Sequence, residues 1–221
     1  MAVSIRIPGA SFANPISRTA PFWADCTALY LFGENEALSK RNLKTGADAA
    51  VVGAPAYGDN YAVLGQTAGF VDAAPARSIP YTHCVVTTIG SGNNMYAGHG
   101  SATSATGGLL GRGNLNALGL ITGATRVTTP YQSAGGYNFL ATSYDGATAK
   151  VHTALAGAVT TASAAIVVGV AANPLRIGGM VAGSFNIAAE MSFNRALTNA
   201  EVPRVLEYLS FLCGKRGVVV A

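Results

Sequence analysis

The stretch GSFNIAAEMSFNRALTNAEVPRVLEYLSFLCG, residues 183–214, contains two different periodicities. Across residues 185–193 the odd positions are apolar or small, while four of the five even positions in residues 186–194 are polar. This alternation is typical of a strand with one buried face. The first part of the stretch therefore predicts a half-buried strand.

The second part of the stretch has the pattern of a short helix. Apolar residues recur there at helical spacing: Val202, Val205, Leu206 and Leu209. Thr198 and Glu201 form the S/T-x-x-E capping box that marks a helix start. Pro203 falls just beyond the first turn, so we expect the helix to begin a residue or two later. Gly214 is a natural residue to follow the helix end.

The composition favours one folded domain rich in tight turns. The chain has 221 residues, half of them hydrophobic, with 27 glycines, 11% charged residues and a net charge of +4. Disordered segments lack that apolar content. A β-protein of this length commonly forms a single sandwich.

The distribution of charge and hydropathy excludes two classes of partner. The fourteen basic residues are scattered and no three are adjacent, so we predict no nucleic-acid binding, which needs a basic stripe. The longest apolar run, residues 162–172, is too short for a bilayer, so we predict no membrane insertion. The opening MAVSIRIPGASF has a proline and a glycine where a signal peptide needs an apolar run.

The cysteines and acidic residues predict neither a metal nor a cofactor. Cys26, Cys84 and Cys213 are an odd number at wide spacing without C-x-x-C, which indicates free and mostly buried thiols. Asp59 and Asp72 could supply oxygen ligands to calcium, but no D-x-D-x-D run accompanies them.

The chain divides into an arm and a domain. Prolines interrupt every short apolar run of residues 1–26, which predicts an extended N-terminal arm that lies on a neighbour. Residues 27–221 carry short apolar segments separated by turn signals, as a sandwich requires. Asp145 and Gly146 stand between two alternating runs and predict a hairpin.

Four segments follow one another in a recognisable order: Y-D-G at 144–146, L-R-I-G at 175–178, I-A-A-E at 187–190, and N-R-A-L-T with its helix at 194–209. In this order they resemble the laminin G-like and pentraxin branch of the concanavalin A-like lectin/glucanase superfamily. The resemblance implies an all-β fold, an antiparallel jelly-roll sandwich with an extended N-terminal arm and one short C-terminal helix. It further implies that Met191 and Phe193 fill the sandwich, and that the helix covers one open end with Val202, Leu206 and Leu209.

Two further segments look like small structural proteins of tailed bacteriophages and their prophages. They are R-I-P-G-A-S-F at 6–12 and N-L-K-T-G-A-D-A-A-V-V-G-A-P-A-Y at 42–57. This resemblance implies a virion protein that assembles in the host cytoplasm, where unpaired cysteines stay reduced. It also implies that the arm docks to other virion subunits.

The carboxylates do not form the pair that glycosidases of this fold carry. Those enzymes resemble one another in an E-x-D-x-E strand, which sets a nucleophile and an acid on one face. Here Glu34 and Glu36 stand in an expected loop. Glu190 stands alone, and the alternation points it away from Phe185 and Phe193, toward solvent or a hydrogen-bond partner. We therefore predict that the chain is not an enzyme.

Two Gly-rich stretches, residues 91–108 and 111–119, are expected to form long loops at one end of the sheets, where domains of this kind bind ligands. Five residues there offer the amide, ring and guanidinium contacts that sugars accept: Asn93, Asn94, Tyr96, His99 and Arg112. Packing against a neighbouring subunit is the alternative for these loops. His83 interrupts an apolar strand and His152 is expected to face outward in a hairpin, so both are expected to be ordinary sheet residues.

Together these observations predict a non-enzymatic lectin-like virion protein, a tail fibre or adhesin component that contacts a host-surface glycan or another virion subunit. The alternative is a capsid decoration (cement) protein. A glycoside hydrolase of the same fold would require distant carboxylates to converge in space. We expect a homo-oligomer, with a trimer as the first hypothesis.

Overall fold

The computed structural model describes residues 19–73, 79–90, 94–99, 109–112, 117–122, 125–130, 136–155, 158–166, 173–179 and 183–221. In chain order the elements are β1 (Cys26–Leu31), α1 (Glu36–Ser39), β2 (Ala50–Val52), β3 (Ala56–Tyr57), β4 (Ala62–Gly65), β5 (Gly69–Asp72), β6 (Tyr81–Thr88), β7 (Asn94–Gly98), β8 (Leu109–Arg112), β9 (Ala117–Thr122), β10 (Thr125–Pro130), β11 (Tyr137–Tyr144), β12 (Thr148–Leu155), β13 (Ala158–Ala165), β14 (Leu175–Gly178), β15 (Ser184–Phe193) and α2 (Val202–Gly214).

The strands form two antiparallel sheets. The large sheet has the order β13-β12-β11-β6-β15-β4-β3, and β1 also pairs with β15. The small sheet has the order β10-β9-β8-β7-β14-β5-β2. The predicted all-β jelly-roll sandwich with one C-terminal helix is confirmed, although a short helix, α1, was not expected.

The hairpin predicted at Asp145 and Gly146 joins β11 to β12. The Asp145 carboxylate accepts hydrogen bonds from the backbone N–H of Ala147 at 2.9 Å and of Thr148 at 2.7 Å. Gly146 has a φ of 109°, a conformation that side chains with a Cβ rarely adopt. The turn chemistry of the sequence therefore determines this connection.

The central strands of the large sheet, β11, β6 and β15, are buried on both faces. One face meets the small sheet through a cluster that includes Tyr30, Leu140 and Phe185. The opposite face carries a separate cluster, in which Phe139 of β11 and Leu209 of α2 belong to the same core. Helix α2 therefore covers the outer face of the large sheet, and the expectation that it covers an open end of the sandwich is wrong.

A bulge beside Ile187 reverses the alternation of β15. Before the bulge, Phe185 points into the sandwich; after it, Met191 and Phe193 belong to the cluster beneath α2. The prediction that Met191 and Phe193 fill the sandwich is therefore wrong. For the same reason Glu190 points into the space between the sheets, where it is fully buried rather than solvated.

The ends of α2 follow the predicted signals in part. The helix begins at Val202 with Pro203 in its first turn, close to the expected start. The Glu201 carboxylate accepts hydrogen bonds from the Thr198 N–H at 2.9 Å and the Thr198 hydroxyl at 3.0 Å, which is half of the predicted capping box. Gly214 lies inside the helix instead of after it.

Most of the predicted arm lies outside the described residues. Of residues 1–26, the structure describes 19–26. Ala20 is buried against the cluster beneath α2, residues 21–25 form a turn, and Cys26 already belongs to β1. The division between an arm and a domain stays a prediction.

Three further observations bear on the predicted chemistry. Cys26, Cys84 and Cys213 are buried free thiols, as predicted. Among the residues that the structure describes, no helix has the length and apolar character to span a membrane. In the same part of the chain, no group of three or more histidine, cysteine or acidic residues is placed to hold a metal ion.

Candidate functional site

The five residues predicted to bind a ligand do not form an exposed loop. Asn94 and Tyr96 lie in β7 with fully buried side chains, and His99 directly follows β7 and is also buried. Arg112 is the last residue of β8, and its backbone pairs with that of Asn94. The Arg112 side chain and the whole of Asn93 are not among the parts of the chain that the structure describes. The ligand-binding role of the five residues stays a prediction.

Pairing with neighbouring strands explains why the Gly-rich stretch contains a strand. Strand β7 is hydrogen-bonded to β8 on one side and to β14 on the other. The ring of Tyr96 packs edge-to-face on that of Phe185, with centroids 4.9 Å apart. The loop placement of Asn94 and Tyr96 was therefore wrong, because glycines between apolar residues were interpreted only as turn signals.

A histidine, a serine and a glutamate meet between the sheets. His83 of β6 and Ser192 of β15 are cross-strand partners, and His83 Nδ1 lies 2.7 Å from Ser192 Oγ. Ser192 in turn donates a hydrogen bond to Glu190 Oε1. A Ser-His-acid triad places the histidine between the other two residues. Here the serine is in the middle, so the histidine does not link the hydroxyl to the acid.

Burial controls the protonation of Glu190. Desolvation raises the pKa of its carboxyl group to about 8, the Ser192 hydrogen bond lowers it, and the charge of Asp72 raises it. Asp72 belongs to the small sheet and accepts hydrogen bonds from Tyr30 of β1 and, at 2.8 Å, from Asn42. These side chains therefore link the two sheets through polar contacts.

Aromatic and imidazole rings complete the cluster. The His83 ring lies 5.0 Å from the His99 ring and 5.1 Å from the Tyr81 ring, measured between centroids. His99 Nδ1 lies 3.0 Å from the backbone oxygen of Asn173. Each of the three rings is at most 4% exposed, so the cluster presents almost no surface to a solute. Its role in the described structure is to connect strands.

His152 is also an internal sheet residue, as predicted, although it does not face outward. Its Nε2 lies 3.3 Å from Ser143 Oγ and its Nδ1 lies 2.9 Å from Thr161 Oγ1. Desolvation lowers the pKa of His152 to about 4, with the charge of Lys150 as a smaller cause. His152 is therefore neutral at physiological pH.

The turn at residues 21–25, directly before β1, carries an aromatic ring in contact with charged side chains. Phe22 adopts a φ of 55°, a left-handed conformation that is unusual for an aromatic residue. Its carbonyl oxygen accepts hydrogen bonds from the N–H groups of Asp25 and Cys26. The guanidinium carbons of Arg195 and Arg204 lie 4.8 Å and 4.9 Å from the centre of the Phe22 ring. The turn thus holds an aromatic ring against two arginines.

The two arginines differ in their partners. Arg195 donates to Asp25 at 2.7 Å and forms a bidentate pair with Glu201 at 2.8 and 2.9 Å. The Arg195 hydrogen bonds hold the pKa of Glu201 at about 2. No carboxylate in the described ranges pairs with Arg204, whose guanidinium group therefore retains donors for a ligand.

A pocket lies beside this turn, between residues 19–21 and helix α2. Its volume is about 190 Å³. The lining residues are Thr19, Pro21, Arg204, Glu207 and Tyr208. Arginine supplies only donors, glutamate supplies only acceptors, and the two hydroxyl groups can do both. Sequence reasoning missed this pocket, because its two walls are far apart in the chain and carry no shared motif.

Comparisons with known proteins identify the fold but no family. No family model matches the chain, and no curated protein matches it. Trypanosoma rangeli sialidase matches with a TM-score of 0.63 and 14% identity over 91% of this chain and 35% of that chain. The same sialidase in complex with sialic acid matches with a TM-score of 0.61 and 17% identity, over 91% of this chain and 36% of that one.

A second kind of match is a separate domain. Domain 4 of AbnA, an extracellular arabinanase of glycoside hydrolase family 43 from Geobacillus stearothermophilus, was solved in complex with arabinotriose. It matches with a TM-score of 0.58 and 17% identity, over 82% of this chain and 98% of that one. The chain thus spans about a third of the length of the sialidases but nearly all of the arabinanase domain.

The prediction that the chain is not an enzyme is contradicted by these neighbours. Sialidases and a domain of an arabinanase share its sandwich, so the fold occurs in proteins that act on glycosides. The prediction depended on a missing carboxylate pair, and that criterion is too narrow because some glycosidases use a tyrosine nucleophile. At this level of identity the comparisons show the fold alone, a jelly-roll β-sandwich.

Proposed function

We propose that the chain is a carbohydrate-binding β-sandwich domain. The observation that carries the proposal is the match to domain 4 of AbnA, which covers 98% of that domain and whose structure contains arabinotriose. The matched unit is therefore one whole sandwich of similar size that binds an oligosaccharide. The sialidase in complex with sialic acid is a second neighbour solved with a sugar.

The polar surface of this chain suits the same kind of ligand. Only 11% of the residues are charged, so hydroxyl, amide and backbone groups supply most polar contacts. Sugars present many hydroxyl groups, each of which both donates and accepts a hydrogen bond. A surface with mixed donors and acceptors therefore complements them better than a surface of one charge.

Within this proposal, the domain belongs to a tailed-bacteriophage virion, as a tail fibre or adhesin component that contacts host-surface glycans. The support is the resemblance of residues 6–12 and 42–57 to phage structural proteins. A capsid decoration protein is the alternative. In either case we propose a homo-oligomer, with a trimer as the first hypothesis, and docking to other virion subunits through residues 1–26.

A glycan array tests the binding proposal. The purified chain, labelled at a surface lysine, is applied to neutral and acidic glycans beside a β-sandwich protein that has no sugar ligand. We expect a reproducible subset of glycans to retain the chain and not the control protein. Retention no greater than that of the control on every glycan would contradict the proposal. Reducing-sugar release, measured on the same glycans, shows whether hydrolysis accompanies binding.

A further inference from the structure

We propose that the pocket between Pro21 and α2 binds a single neutral monosaccharide residue of a glycan. This inference rests on the proposed function, because it assigns the sugar contact to a place that sequence reasoning did not identify. It differs from the site predicted at the end of the sheets, which contains Asn93, Asn94, Tyr96, His99 and Arg112.

The size of the pocket suits a ligand of one sugar residue. Its volume is about 190 Å³, and it opens to solvent beside the exposed residues Arg204 and Glu207. Drug-sized ligands occupy pockets of about 300 Å³ or more. A pocket of this size therefore accommodates one sugar ring, with the rest of a longer glycan outside it.

The charges of the lining favour a ligand without net charge. Arg204 and Glu207 both line the pocket, and neither forms an ion pair with another described residue. A ligand carboxylate would meet Glu207, and a ligand ammonium group would meet Arg204. Hydroxyl groups satisfy both side chains, because they accept from the guanidinium group and donate to the carboxylate.

Tyr208 adds a hydroxyl group to the wall of the pocket. The residue as a whole is 3% exposed and lines the pocket. Its hydroxyl oxygen is not one of the fully buried unpartnered atoms of the described residues, so it is open to the pocket. It can donate to and accept from a sugar hydroxyl, while Pro21 offers an apolar surface to the carbon-bound hydrogens of the ring.

The turn at Phe22 holds the side chain of Arg204 beside the pocket. Phe22 follows Pro21 in a left-handed conformation, and Arg204 lies over its ring at 4.9 Å. Left-handed backbone at an aromatic residue costs free energy and persists only where the surroundings enforce it. The strained turn therefore places the guanidinium group of Arg204 at the pocket before a ligand arrives, which reduces the ordering that binding requires.

Saturation-transfer NMR with monosaccharides tests the assignment on the whole chain. The probes are L-arabinose, D-galactose and D-glucose as neutral sugars, D-galacturonate as an anion and D-glucosamine as a cation. We expect at least one neutral sugar to bind more tightly than both charged sugars.

Three variants test whether the pocket residues make the contact. Tyr208→Phe keeps the ring but loses the hydroxyl, and we expect the affinity for the sugar to be up to about tenfold weaker. Arg204→Gln and Glu207→Gln should each weaken binding by about tenfold or more.

Arg41→Gln is the matched control, because Arg41 is an exposed arginine that pairs with Asp48 away from the pocket. It should leave the affinity unchanged. If glycans bind the parent and the three pocket variants equally well, the pocket assignment is wrong while the proposed function stands. Tighter binding of D-galacturonate or D-glucosamine would overturn the neutral-sugar assignment. If no glycan or monosaccharide binds the parent, both the inference and the proposed function are wrong.

Discussion

At the scale of single residues, Glu190 places an ionisable carboxyl group in the interior of the sandwich, where it is fully buried. Its carboxyl group has a pKa of about 8 in the folded chain, against 4.5 in ordinary surroundings. Its Oε2 atom has no hydrogen-bond partner among the residues that the structure describes. At neutral pH the folded chain therefore keeps this carboxyl group protonated, whereas the unfolded chain does not.

This difference predicts a pH-dependent stability. Between pH 4.5 and 8 the folded chain binds a proton that the unfolded chain has lost, so raising the pH lowers the free energy of unfolding. From pH 6.5 to pH 8 we expect a loss of roughly 1–2 kcal/mol. Glu190→Gln cannot ionise, so the loss should disappear in that variant. Urea denaturation at the two pH values measures it.

His152 supplies the internal check on that experiment. Its pKa falls from 6.5 to about 4 on folding, so the unfolded chain binds the additional proton and stability is lost as the pH falls through this range. Between pH 6.5 and 8 the unfolded imidazole loses its remaining protons, which adds only about 0.4 kcal/mol of stability, and does so equally in the parent and in Glu190→Gln. If the parent and Glu190→Gln lost equal stability between pH 6.5 and 8, the account of Glu190 as a buried neutral acid would be wrong.

At the scale of elements, α2 contributes the second core of the molecule. Leu209 is fully buried in the cluster beneath the helix, while the adjacent Ser210 is only partly buried. Leu209→Asp would place an unpaired charge against the large sheet and should destabilise the chain by more than about 3 kcal/mol. Thermal and urea unfolding measure the change.

Ser210→Asp adds the same charge one position further along the helix. Because this side chain is partly exposed, the substitution should change the stability by no more than about 0.5 kcal/mol. Equal unfolding curves for Leu209→Asp and the parent would show that α2 does not form a core with the large sheet.

The elements also show how far the sequence predicts this fold. The Asp145 hairpin and helix α2 were predicted correctly, because turn residues and helical periodicity act within a few neighbouring positions. The bulge in β15 was not predicted, since it depends on pairing with β6, and it reverses the direction of every side chain after Ile187. Glu190, Met191 and Phe193 were therefore assigned to the wrong side of the sheet, and α2 was assigned to an open end of the sandwich instead of the outer face that Met191 and Phe193 line.

The candidate site was harder to predict for a related reason. The Gly-rich stretch was expected to be a loop, but pairing with β8 and β14 makes part of it the buried strand β7. The pocket beside α2 joins Pro21 to Arg204, and no local pattern connects positions so far apart. Only the folded chain brings them together.

At the scale of the whole molecule, the proposed docking arm predicts that a truncation can remove assembly without changing folding. Ala20 packs in the cluster beneath α2, so a truncation that leaves the core intact must end before it. Deleting residues 1–18 should leave the melting temperature within a few degrees of the parent value, because a change below 1 kcal/mol shifts it by about 2–4 °C or less. If the arm docks to virion subunits, the truncated chain should be absent from purified particles.

Two measurements check this prediction: a thermal melt of the truncated chain and an immunoblot of purified particles that contain either form. Normal incorporation of the truncated chain would contradict docking through the arm. A fall of ten degrees or more in the melting temperature would show instead that residues 1–18 belong to the folded domain.

An NMR titration of the isotopically labelled full chain shows whether this sandwich binds carbohydrate. The ligands are arabinotriose and the best-retained glycans from the array. We expect at least one neutral glycan to cause saturable shifts of a contiguous set of backbone amides. The largest shifts should fall in α2 and the turn at residues 21–25. If no glycan at millimolar concentration caused a saturable shift in the fully folded chain, the proposal that the sandwich binds carbohydrate would be wrong.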